Sequence, residues 1–143
     1  MFDKTILAIL PEHLQKLFQN SIVNALFKTQ AVIEQRVESK LISSDAYDMA
    51  KDEEYTVSDI IKNVGLSDVK SAADISNENE LKNISEMVLD EIQKLLTIRK
   101  EIEEMNQMER MEDLISRNVF TLFNIELEKD LSSFIYLFSD KND

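Results

Sequence analysis

His13 is the only histidine in the chain. Imidazole is the side chain that changes charge near neutrality without help from its surroundings. Any Ser-His-Asp chemistry would therefore rest wholly on His13, and no nucleophile-elbow sequence accompanies it. There are no cysteines, which excludes thiolate nucleophiles, thiolate metal sites and disulfides. Carboxylates are the abundant reactive groups. Glu34 and Glu38 stand one helical turn apart, as do Glu101 and Glu104. Helical di-metal centres use such pairs together with Glu-x-x-His units from facing helices. That unit is absent from the sequence. Asp45, Asp48 and Asp52 miss the calcium-loop pattern, which needs alternating acids, a central Gly and a closing Glu. His13 and these acids read as solvated surface residues. The sequence predicts no catalytic residue, no cofactor and no metal, hence a protein that is not an enzyme.

The elements that would position any site follow from composition. The chain has 143 residues, of which 43% are hydrophobic, with a single glycine, Gly65, and a single proline, Pro11. That length suits one helical domain over residues 1–143. The hydrophobic share is enough for a core. A β-sandwich or barrel needs far more turn-forming glycine and proline. A phosphate-binding loop needs glycines as well. An all-α fold is expected. Met1 to Leu10 lacks the basic region and cleavage site of a signal peptide. No apolar stretch is long enough for a membrane span. A soluble, intracellular protein is expected, in cytoplasm or nucleus.

Apolar spacing places the helices. Asp3 could cap a first short turn. Pro11 then either opens a helix or kinks one. From Pro11 to about Ile42, Leu14, Phe18, Ile22, Leu26, Ile33, Val37 and Leu41 recur on one stripe, which Leu17, Val23, Phe27 and Val32 widen. Ser43 to Tyr55 loses the apolar period and reads as a linker or a frayed helix end, the start of an acidic connector over about 43–80. Thr56-Val-Ser-Asp59 has the form of a capping box and opens a short helix through Ile60, Ile61 and Val64. Gly65 stands where a left-handed residue would close it. Asn77-Glu-Asn-Glu80 is a second start signal. A heptad follows: Leu81, Val88, Leu95 and Ile102 in one position, Ile84, Ile98 and Met105 in the other. Leu89, Ile92 and Leu96 broaden the seam. Glu91 falls on it and should lie at an edge or reach a cation, Lys94 or a lysine of the first helix. The last helix, from about Met108 to Phe138, carries Phe120, Phe123, Leu127, Leu131, Phe134 and Phe138. No Gly or Pro marks a break between Asn106 and Glu112. Residues 139–143 read as a frayed tail. The expected architecture is a helical bundle, compact or elongated, of three long helices and one short connector helix.

One local pattern carries a resemblance. Thr56-Val-Ser-Asp59-Ile60-Ile61-Lys-Asn-Val64-Gly65-Leu66-Ser67 resembles the first helix and turn of a helix-turn-helix unit. The likeness implies a DNA-reading second helix. The segment in that place, Asp68 to Asp74, holds two acids and one lysine, which suits a connector better. Met105, Met108 and Met111, with Met87 upstream, read as gap-fillers of a core or as an adaptable surface.

Charge bounds the partners. The formal net charge is −12, and residues 43–80 hold ten acids against three bases. Residues 101–113 are the other acidic stretch. Affinity for nucleic acid comes largely from bases neutralising phosphates, so direct nucleic-acid binding is not expected, nor is a membrane surface. A protein partner or a homo-oligomer is. The expected function is a non-enzymatic protein–protein interaction module, a helical subunit or adaptor of a larger assembly with coiled-coil character. Leu81, Val88, Leu95, Ile102, Met105, Phe120, Phe123 and Phe134 are its candidate interaction residues. The alternative is a small acidic regulator or inhibitor that mimics nucleic acid in a basic groove. A helix-turn-helix DNA-binding protein is the third reading.

Overall fold

The computed structural model describes residues 8–97 and 104–132. The elements are α1 (Glu12–Glu38), α2 (Ser44–Asp52), α3 (Val57–Asn63), a 3-10 turn (Ala72–Asp74), α4 (Glu78–Thr97) and α5 (Gln107–Leu131). No strand occurs among the described residues, so the fold is all-α. The three long helices α1, α4 and α5 pack against one another, α2 packs on α5, and α3 and the 3-10 turn pack on α1.

The core is the set of stripes the sequence spells. Phe18, Ile22, Leu26 and Ile33 of α1 are buried with Leu81, Ile84, Val88, Leu89, Ile92 and Leu95 of α4 and with Val119, Phe123, Leu127 and Leu131 of α5. Each helix removes its apolar face from water against two others, the main favourable term in folding. Polar ties then fix the register. Lys16 Nζ meets Glu78 Oε1 at 3.3 Å, so α1 and α4 start from the same end of the bundle. Lys28 Nζ meets Asp130 Oδ1 at 3.3 Å and ties the end of α5 to the middle of α1. The amide of Ala72 donates to Asn24 Oδ1 at 2.9 Å and pins the 3-10 turn to α1.

Pro11 opens a new helix as the N-cap of α1. Two capping boxes start later helices: Thr56 with Asp59 at α3 and Asn106 with Glu109 at α5. The chain thus does break before α5, and Asn106-Gln-Met-Glu109 is the signal that marks it. Asn77 Oδ1 accepts from the Glu80 amide at 2.9 Å at the start of α4.

Two expectations are corrected. Ser43 to Tyr55 is neither linker nor frayed end. Ser43 caps α2, accepting from the Ala46 amide, and Ala46 and Ala50 are buried four residues apart. Two methyl groups make a narrow buried face that lets α2 approach α5 closely, and no stripe of large residues announces it. The stripe of α1 also stops short of Leu41, which is 79% exposed. The helix ends at Glu38, and Lys40 turns left-handed with φ 67°.

Three successive helices close in the same way. After α1, the Lys40 amide donates to Val37 O and the Leu41 amide to Arg36 O. After α2, Glu54 donates to Lys51 O and Tyr55 to Ala50 O. After α3, Gly65 donates to Lys62 O and Leu66 to Ile61 O. This is the paired hydrogen-bond pattern of a Schellman motif, with the left-handed residue in the middle. Gly65 (φ 82°) suits that conformation, whereas Lys40 and Glu54 (φ 67° and 62°) adopt it with a side chain. A left-handed non-glycine residue costs roughly 1–2 kcal/mol, partly offset because glycine loses more freedom on folding. Lys40→Gly is therefore expected to stabilise the protein by up to about 1 kcal/mol. Urea melts would show it as a higher midpoint. A lower midpoint would contradict the left-handed turn at Lys40.

Candidate functional site

Helical spacing sorts the side chains of α2 onto two faces. Ala46 and Ala50 face the bundle, and Asp45, Asp48 and Asp52, spaced three and four apart, share the outward face. Glu53 and Glu54 extend this charge into the turn that closes the helix. All five carboxylates are exposed. None of them enters an ion pair among the described residues, in contrast to Glu78, Glu91, Asp113, Glu126 and Asp130, each within 3.5 Å of a cation. The nearby Lys51 stands over the Tyr47 ring, 5.5 Å from its centroid. The result is an ordered acidic face, uncompensated among the described residues, on a short helix held by Ala46 and Ala50 with Tyr47 packed beside them.

Its chemistry is electrostatic. Among the described residues no group of three acids or histidines is arranged to hold a metal ion. Glu34, Glu38 and Glu104 are exposed, and Glu101 lies outside the described residues. His13 is exposed in the first turn of α1. The acidic stretch before residue 113 is not wholly solvated, however. Glu112 is buried, and Asp113 is buried and paired with Arg117 Nε at 2.9 Å.

The candidate interaction residues sit elsewhere. Leu81, Val88, Leu95, Met105 and Phe123 are buried within the chain itself, and Phe120 is half-buried against the core. Ile102 and Phe134 lie outside the described residues, as do Ile98 and Phe138. The methionines do not share one surface: Met105 is buried and Met111 packs on the core, while Met87 and Met108 are exposed. The structure uses Leu81, Val88, Leu95, Met105 and Phe123 as core, and the acids of α2 form a distinctive outer feature among the described residues. Sequence reasoning saw the charge of residues 43–80 but not its order. The signal that could have found it is Ser43 as a cap, followed by alanines at i+3 and i+7.

The helix-turn-helix resemblance holds for one helix only. α3 and its Gly65 turn form as the pattern implies. No α-helix follows before Glu78; residues 68–77 contain only the 3-10 turn. The element that would enter a groove is missing from that place. Among the described residues, no helix is long and apolar enough to cross a membrane.

The class defined by these elements is an all-helical bundle with an outward acidic helix. No protein-family model, curated protein or solved structure matches the chain.

Proposed function

We propose that this chain is a non-enzymatic interaction protein, a helical subunit or adaptor that presents the acidic face of α2 to a basic surface on a protein partner. One observation carries the reading: five exposed carboxylates on and just after α2 lack a cation among the described residues. Like charges at helical i,i+3 and i,i+4 spacing weaken the helix that bears them. Asp45 stands in the first turn, where a carboxylate suits the helix, but Asp48 and Asp52 gain nothing of that kind, and the segment is held to the core by Ala46 and Ala50 with Tyr47 and Tyr55 beside them. A partner bearing lysines or arginines would relieve the repulsion and be steered by it.

The test is the triple variant D45N/D48N/D52N, compared with wild type by tagged purification from the native cell and mass spectrometry. The expected result is a basic protein retained by wild type at low salt, lost at high salt and lost in the variant. The variant should keep its helical circular dichroism spectrum and melt close to wild type, because losing the Asp45 carboxylate from the first turn offsets the relief of repulsion. A partner retained equally by the variant would overturn the reading. The regulator that mimics nucleic acid makes a different forecast: duplex DNA or RNA would displace the chain from its partner. A subunit bound elsewhere on the partner would stay.

A further inference from the structure

A second surface lies apart from α2, where α1 and α4 begin side by side. An open cleft of about 740 Å³ runs between their first turns. Gln19 lines it and is only 7% exposed. Its side-chain amide makes no hydrogen bond among the described residues, whereas the neighbouring Gln15 amide donates to Leu10 O at 2.7 Å. A buried amide without a partner is rare and costly, and it points to a ligand or a bound solvent molecule that completes it.

The surroundings supply donors. The first backbone N–H groups of a helix have no intrahelical acceptor. In α1 these include Glu12 and His13, and the Pro11 cap provides no side-chain acceptor. In α4 the Asn77 side chain takes the Glu80 amide, which leaves Glu78 and Asn79. All four of these residues line the cleft. Two helix starts side by side add their positive dipole ends. Of the charged side chains, Lys16 and Glu78 engage each other. Lys82 lines the cleft and enters no ion pair among the described residues. Glu12 stands against it with the opposite charge, so the helix ends tip the balance toward an anion.

We propose that this cleft binds an oxyanion group, a carboxylate or a phosphate, with the Gln19 amide as donor and Lys82 as counter-charge, the starts of α1 and α4 adding their positive dipole ends. The inference does not rest on the acidic face of α2. It is tested by 15N NMR on the full chain, titrated in parallel with inorganic phosphate and with acetate at constant ionic strength. The expected result is a saturable shift of the Gln19 side-chain amide together with backbone amides of the lining residues Lys16 and Lys82. Gln19→Leu should weaken that binding about tenfold or more, equivalent to about 1.4 kcal/mol, and Lys82→Ala should weaken it as well. Gln19→Leu should also melt at or above the wild-type temperature, because an unpartnered buried amide has been removed. Loss of binding is then separate from loss of fold. Tighter binding of phosphate would assign a phosphorylated ligand, and tighter binding of acetate a carboxylate. No saturable shift with either probe would overturn the proposal. Equal binding by Gln19→Leu would do the same, since it would mean an ion held by helix ends alone.

Discussion

Phe123→Ala is expected to destabilise the protein by about 3–5 kcal/mol, the usual range for deleting a fully buried aromatic side chain. Phe123 is 1% exposed and stands in the middle of α5, the helix that packs on α1, α2 and α4. Three neighbours limit collapse around a missing ring. The loss is then the transfer energy of the ring plus the cavity it leaves. For a chain of this size that corresponds to a fall in Tm on the order of 10 °C. Phe120 is the internal control. It lies three residues earlier, is half-buried and should cost less when truncated. Urea unfolding of both variants at unchanged slope would read the two values. A Phe123→Ala variant within about 1 kcal/mol of wild type would mean that α5 is not packed as described.

The long helices were legible because large apolar residues recur at helical spacing, and three-helix packing is the way to bury such stripes. Leu14 to Ile33, Leu81 to Leu95 and Phe123 to Leu131 each mark their own face. Start signals were legible where a short polar side chain can accept a hydrogen bond from the helix. Thr56, Asn77 and Gly65 did in the structure what their chemistry implies. The misses have physical causes too. Lys40 and Glu54 adopt left-handed conformations that a lysine or glutamate does not advertise, so the ends of α1 and α2 carried no visible punctuation. α2 buries only alanines, and a stripe of two methyl groups is lost against five acids. Leu81, Val88, Leu95, Met105 and Phe123, read from spacing as interaction residues, are buried within the chain, for a related reason. A wide apolar face fits a partner or the chain's own core equally well, and only the folded arrangement shows that α1, α4 and α5 consume one another's faces. The acidic face and the Gln19 cleft depend on which polar groups lack partners, a property of the assembled bundle that spacing along one helix does not contain.

Leu95→Ala and Glu91→Leu, one turn apart on α4, should move stability in different ways. Leu95 is 4% exposed and belongs to the core. Its truncation should cost about 2–5 kcal/mol, depending on how far α1 and α5 close over the gap. Glu91 occupies the heptad seam but escapes burial. Its side chain is 28% exposed, and Lys94 Nζ lies 3.1 Å from its Oε1. The edge position and the cation are the two ways a seam carboxylate can avoid the cost of an unpaired buried charge, and both are present. A partly exposed i,i+3 pair contributes only about 0.3–0.5 kcal/mol. Replacing Glu91 by leucine gives up that much and gains some apolar burial, so the variant should be neutral or slightly more stable. Thermal melts of the two variants, run beside light scattering, separate core from interface. If Leu95→Ala lowers Tm at unchanged molecular mass, the residue acts within the chain. If it lowers the mass instead, the seam joins two chains. If it changes neither, the packing of α4 on α1 and α5 is refuted.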